Sequence, residues 1–329
     1  MSISRFLKYL AVIGILLVLP LVTRNPYGQH ILNMIFIYTI LAMSVNLVFG
    51  YTGGLTFGHV TVYAIGAYIS ALASTKLGFS YLTSFILSGL GGFLVGIFIG
   101  YPTLKLAGAY FAMATIAFDR IMQTIFINWE SVTGGPSGIT GIPYPVLGGV
   151  SLKTEGQYYY LILLVTLIVF FLYRNLIRSH IGKTIMAMRD NPVAAEAMGI
   201  NVARLRLSVF TISTIFASLA GSLYAHMVKY VAPGAFPLEE SVALLVMVVL
   251  GGPGFLMGPI YGSIIVVFAN EYLQYLESFN MLVYGFAILL LLIFLPSGIT
   301  GMLERFKSRL SRKKEGIDYI REVGIEEMR

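Results

Sequence analysis

His30, His59, His180 and His226 are the four histidines of the chain, and their spacing matches no metal-ligand pattern. The chain has no cysteine, which removes disulfides, thiolate metal sites and cysteine nucleophiles and leaves the redox compartment undecided. Gly182-Lys183-Thr184 looks like the end of a phosphate-binding loop, but that motif needs a glycine five residues before Gly182, where Ile177 stands. No strand is expected ahead of it, so nucleotide binding by this chain is set aside. No nucleophile–base pair and no paired carboxylates stand out, and covalent catalysis is not expected.

The side chains that remain suspicious are those in apolar surroundings. Asp119 and Arg120 fall inside an apolar run, where charge is costly and functional by default. As neighbours they face different directions on a helix. Arg120 is near enough to one end to reach the interface, while Asp119 either pairs with another helix or lines a transport path. A proton relay lacks the further acids and histidines it would need. His59 follows the break Gly53-Gly54 and Gly58. A half-helix terminus there could meet a zwitterion's carboxylate, so Gly54, Gly58, His59 and Asp119 are the candidates for a translocation path. The alternative for His59 is a ring hydrogen-bonded to backbone carbonyls freed by the break.

The elements that position these residues follow from composition. The 329 residues are 57% hydrophobic and 11% charged, against about 25% charged in soluble domains. Such a chain needs lipid as its solvent. The net charge of +7 sits mainly in loops flanking apolar runs, the membrane-topology pattern, so nucleic-acid binding is set aside. The expected fold class is all-α, a polytopic membrane protein of about ten helices near 6–22, 31–49, 58–75, 83–100, 106–127, 158–173, 205–227, 240–256, 259–276 and 281–296. The first run lacks a small-residue cleavage site and is expected to be retained. Counting lysine and arginine puts both termini in the cytoplasm: Lys105, Arg174, Lys183 and Arg189 then lie inside, and only Arg24, Lys76, Lys153 and Lys229 outside. Residues 1–304 form the transmembrane domain, with a cytoplasmic loop at 174–204. Residues 305–329 form a basic, then mixed-charge, cytoplasmic tail. Glycines of the fourth and ninth spans, among them Gly89, Gly91, Gly92, Gly96, Gly258 and Gly262, are expected to let helices approach closely.

Within the cytoplasmic loop, Asn191 is a good N-cap, Pro192 suits the first helical position, and Gly199 suits a left-handed C′ position. The stretch Val193-Ala194-Ala195-Glu196-Ala197-Met198 between them makes a helix of about two turns, too short to stand alone in water. Its side Val193, Ala194, Ala197 and Met198 is apolar and low in relief. Such a helix either enters a groove on a soluble partner or rests on headgroups or on its own transmembrane helices.

The run from Arg189 to Asn201 resembles the coupling segment of the LivM-type permeases of branched-chain amino-acid ABC importers. Gly54-Leu55-Thr56-Phe57-Gly58-His59, followed by Gly66-Ala67-Tyr68, is similar to that family's block after its second long helix. Thr133-Gly134-Gly135-Pro136-Ser137-Gly138 is similar to its extracytoplasmic glycine block, and Gly251-Gly252-Pro253-Gly254 and Phe294-Leu295-Pro296-Ser297-Gly298 complete the series over about residues 30–300. The resemblance implies a permease subunit in the cell's inner membrane that carries branched-chain or related hydrophobic amino acids. A second, related permease subunit would make it a heterodimer. Two ATP-binding subunits would use ATP and magnesium, which this chain does not bind, and an extracytoplasmic solute-binding protein would deliver cargo. Asn191–Gly199 would couple to the ATPase; Thr133, Gly134, Gly135 and Gly138 would lie in the external loop. A similar machine for urea or short amides, and an ion-coupled secondary transporter, are the competing readings.

Overall fold

The computed structural model describes residues 14–20, 22–23, 25–103, 106, 108–273 and 298–302. The start of the first expected span, the tenth span at 281–296, Phe294–Ser297 and the tail at 305–329 lie outside the described residues. Eight of the expected spans fall on described helices. These are α1 (Pro26–Asn46), α2 (His59–Thr75), α3 (Tyr81–Thr103), α4 (Ala109–Asn128), α6 (Glu155–Arg178), α9 (Val202–Val228), α10 (Leu238–Gly251) and α11 (Gly258–Leu273). Three short helices join them: α5 (Glu130–Thr133), α7 (His180–Asp190) and α8 (Pro192–Ala197). Among the described residues five helical stretches are long and apolar enough to cross a membrane: 26–52, 81–103, 155–178, 202–228 and 233–251. Helices α2 and α11 fall short in length, at 17 and 16 residues, and α4 in apolar content.

Helix α2 is the centre of the bundle. Fourteen of its residues are buried, as expected for a helix without a strongly polar face. Against it and α3 lies α9, and the contact is made by small residues. Ser84, Ser88, Gly92, Gly96 and Gly100 recur every fourth residue on the buried side of α3. A Cβ on Gly96 would stand 2.3 Å from Thr214 Oγ1 and 2.8 Å from Thr211 Cα. Ser88 donates to the Ser218 carbonyl at 2.7 Å, sealing the same seam. The glycine row therefore serves close helix approach, as its spacing implies. The other side of α3 leaves Leu82, Ile86, Leu90, Leu94 and Phe98 exposed, an apolar flank suited to lipid.

Two local departures from the expected all-helical pattern matter. Four two-residue strands pair antiparallel: β1 (Ile139–Thr140) with β4 (Tyr230–Val231), and β2 (Val146–Leu147) with β3 (Val150–Ser151). The loop expected at 174–204 is also mostly helix, because α6 runs on to Arg178 and α7 follows at once. Buried Gly182, Ile185 and Met188 of α7 face the bundle. A Cβ on Gly182 would stand 2.1 Å from the Ile177 carbonyl oxygen. The glycine of the phosphate-loop look-alike is thus required by the tight α6–α7 corner.

Candidate functional site

The short helix α8 is built by its own caps. Asn191 Oδ1 accepts from the Ala194 amide at 3.0 Å, and Pro192 occupies the first turn. At the other end Gly199 has φ +82°. The Ile200 amide donates to Ala195 O at 3.1 Å and the Gly199 amide to Glu196 O at 2.9 Å, which is a Schellman closure. Ala195 alone is buried, while Val193 and Met198 are 76% and 83% exposed. Ala194, Glu196 and Ala197 are exposed as well. The apolar side of α8 is thus uncovered by the chain's own described helices.

Immediately before α8, Arg189 reaches back into the bundle. Its Nη1 donates to the Gly50 carbonyl at 2.5 Å. Gly50 lies in a π-helical turn, Leu47–Thr52, that continues α1 and ends at Gly53 with φ +76°. The turn is tied a second time by Asn46, which donates to Tyr173 Oη at 2.7 Å and to Phe255 O at 3.1 Å. Asn46 Oδ1 accepts from the Gly254 amide at 2.9 Å. Gly252 and Gly254 both have positive φ, and a Cβ on Gly254 would stand 2.9 Å from the Arg189 guanidinium. The glycine block at 251–254 is therefore a turn after α10, not the end of a span reaching 256. It lets α1, α7 and α10 meet at one point.

Residues 53–58 then run without helix to α2. Side chains from other helices satisfy the backbone freed there, as membrane depth requires. The Phe57 amide donates to Thr115 Oγ1 of α4 at 3.1 Å, and Ser241 of α10 donates to Phe57 O at 2.7 Å. His59 is buried at the start of α2, with Nδ1 3.3 Å from Thr56 Oγ1 and Nε2 3.1 Å from Ser213 Oγ. Its partners are hydroxyls, not the freed carbonyls expected from the sequence. Asp119 is fully buried. Thr61, one turn into α2, donates to Asp119 Oδ1 at 2.5 Å, and Oδ2 has no hydrogen bond among the described residues. Arg120 points the other way and is exposed. His59 and Asp119 thus meet at the first turn of α2, one through its own position and the other through Thr61. Gly54 lies on the far side of the break, and Gly58 packs where a Cβ would sit 3.5 Å from Thr115.

The glycine block at 133–138 is a folded strut. Thr133 Oγ1 donates to Phe126 O and Trp129 O, and accepts from the Gly135 amide at 3.2 Å. Gly134 and Gly138 have φ +77° and +66°. A Cβ on Gly138 would stand 2.2 Å from Val231 O, where β1 pairs with β4. These residues lie at the opposite end of the bundle from α8.

Nothing in the sequence assigns Arg189, which opens the coupling-like run, or Asn46 to this junction. The available signal for Asn46 was an amide side chain at the end of an apolar run.

The chain's residues 28–295 match the family model described as branched-chain amino acid transport system, permease component. The high-affinity branched-chain amino acid transport system permease protein LivM of Escherichia coli K12 is 32% identical over 86% of this chain and 71% of its own length. LivM of Salmonella typhimurium LT2 is 32% identical over 83% and 69%. The autoinducer 2 import system permease protein LsrC of Yersinia pseudotuberculosis is 23% identical over 87% and 82%. No solved structure matches. Matching over most of its length, with helices long and apolar enough to span a bilayer, the chain belongs to the family of permease components of branched-chain amino acid transport systems, multi-pass membrane subunits of ABC importers.

Proposed function

We propose that this chain is the permease of an inner-membrane ABC importer for branched-chain or related hydrophobic amino acids, driven by ATP hydrolysis in separate subunits. The observation that carries the reading is the Arg189–Gly50 tether. An uncovered helix too short to be stable alone is wired directly to the break that leads to the buried polar residues. In this reading the α7–α8 end is cytoplasmic, and Asn191–Gly199 seats in a cleft of one of two ATP-binding subunits, which use ATP and magnesium. Closure of those subunits pulls α8, and Arg189 transmits the pull to Leu47–Gly58. The bundle then shifts between inward-open and outward-open states.

A second, related permease subunit completes the path as a heterodimer, and a solute-binding protein docks at the strand-bearing end. A relative 23% identical is an autoinducer 2 import permease, so the amino-acid assignment is tested separately from the machine. Co-expression with neighbouring ATPase and permease genes, purification through a tag on this chain, and reconstitution with the binding protein supply the test. ATP-dependent leucine uptake supports the reading. ATP-independent uptake by this chain alone overturns the machine, and ATP-driven uptake of urea or an amide with none of leucine overturns the cargo.

A further inference from the structure

Below the break, at the α7–α8 end, lies a cavity of about 80 Å³. Its walls carry three kinds of surface. Val48, Phe111 and Phe210 form an apolar side, with the two phenyl rings edge to face at 5.9 Å. Thr52 and Thr103 contribute hydroxyls whose protons are already committed, to Val48 O at 2.7 Å and Ile99 O at 2.7 Å. Each hydroxyl oxygen therefore faces further partners as an acceptor. The third surface is Arg206, in the second turn of α9 and partly buried; among the described residues no carboxylate pairs with it. An unpaired guanidinium against apolar walls favours an anion, and it can hold a carboxylate through two parallel hydrogen bonds.

We propose that this cavity is an inner binding site for a small apolar amino acid. Arg206 holds the carboxylate, the oxygens of Thr52 and Thr103 accept from the ammonium group, and Val48, Phe111 and Phe210 flank the side chain, whose end projects through the cavity's open mouth. The site deepens the importer reading and rests on it. Phe210 lies between the cavity and the buried polar layer, since its ring also stands edge-on to His59 at 6.0 Å. Cargo released past His59 must displace Phe210 to reach Arg206, so the site is the last stop before the cytoplasm.

The phosphate of a lipid headgroup shares the carboxylate's chemistry, and the test separates the two. The chain has no cysteine, so Leu106→Cys at the cavity rim places a single thiol on it. Within the assembled importer in neutral detergent, saturating leucine slows alkylation at position 106, and leucinamide, which lacks the carboxylate, does not. Adding Arg206→Gln raises the half-protecting leucine concentration by about tenfold to a hundredfold, as expected for losing hydrogen bonds to a charged group. Arg206→Lys recovers part of the protection. Equal rates with leucine and without it overturn the site, as does protection by added phosphatidylglycerol in place of leucine. The Leu106→Cys comparison does not depend on the Arg206 variants folding. ATP-driven uptake by the same preparation, reconstituted into proteoliposomes, separates the two failures: leucine uptake without protection overturns the site alone, and absence of any ATP-driven uptake overturns the importer reading beneath it.

Discussion

Replacing Arg189 by alanine should uncouple ATP hydrolysis from transport while leaving the importer assembled. The side chain donates from a full positive charge to the Gly50 carbonyl at 2.5 Å, and hydrogen bonds to charged groups contribute about 1.5–3 kcal/mol. Removing that link weakens the linkage between α8 and the π-helical turn by about ten- to a hundredfold in its equilibrium constant, at 1.4 kcal/mol per factor of ten. The α8 helix itself keeps its caps, because Asn191 and Gly199 are untouched. ATPase subunits therefore still dock, and ATP turnover persists. The assay is the ratio of substrate moved to ATP hydrolysed in proteoliposomes, with subunit stoichiometry checked by gel. Arg189→Ala should lower that ratio by about tenfold or more. Arg189→Lys should fall between, since an ammonium group can donate to Gly50 but lacks the planar fork. An unchanged ratio in Arg189→Ala would refute the tether as the transmission element.

Other expectations follow from the same geometry. Gly96→Leu drives a side chain into Thr214 and Thr211, and should cost at least about 1–3 kcal/mol, read as a lower melting temperature of the purified complex; an unchanged melting temperature would show that α3 and α9 separate freely. Gly199→Ala meets no neighbour within 4 Å but must hold φ +82°, costing about 1–2 kcal/mol, and should weaken capture of the ATPase subunit while leaving the membrane bundle's stability alone. Asp119→Asn keeps an acceptor for Thr61 and removes the charge. Uptake should fall by more than any drop in melting temperature accounts for, and full uptake would assign Asp119 to packing. Lys183→Ala alters an exposed residue of α7 and should leave uptake intact; loss of nucleotide binding to this chain would revive the phosphate-loop reading.

Local chemistry was the legible part of this fold. Asn191, Pro192 and Gly199 specify α8 within nine residues, and each is found in the position its type suggests, Asn191 as N-cap and Gly199 at φ +82°. Long apolar runs likewise placed the eight helices, with ends displaced by up to five residues. What sequence could not supply were contacts between distant segments. Arg189 and Gly50 are 139 positions apart, and nothing near either one names the other. Helix α7 is hidden in the sequence because it is only eleven residues long and is interrupted by polar His180, Lys183, Thr184, Arg189 and Asp190, with no apolar run to mark it. The β1–β4 pair was missed because two-residue strands carry no alternation to detect. For His59, burial was anticipated but not its partners: a freed carbonyl and a serine hydroxyl on another helix satisfy a ring nitrogen equally well, and only packing chose Ser213.

The bare side of α8 bears on how the subunit is handled before assembly. Val193 and Met198 leave a newly made chain with an apolar knob that its own described helices do not cover, and exposed surface of that kind attracts chaperones and proteases. Under the proposed docking, copies that meet an ATPase subunit would hide that surface, and copies that do not would leave it open to quality control. The scarcer subunit would then set the abundance of the complex.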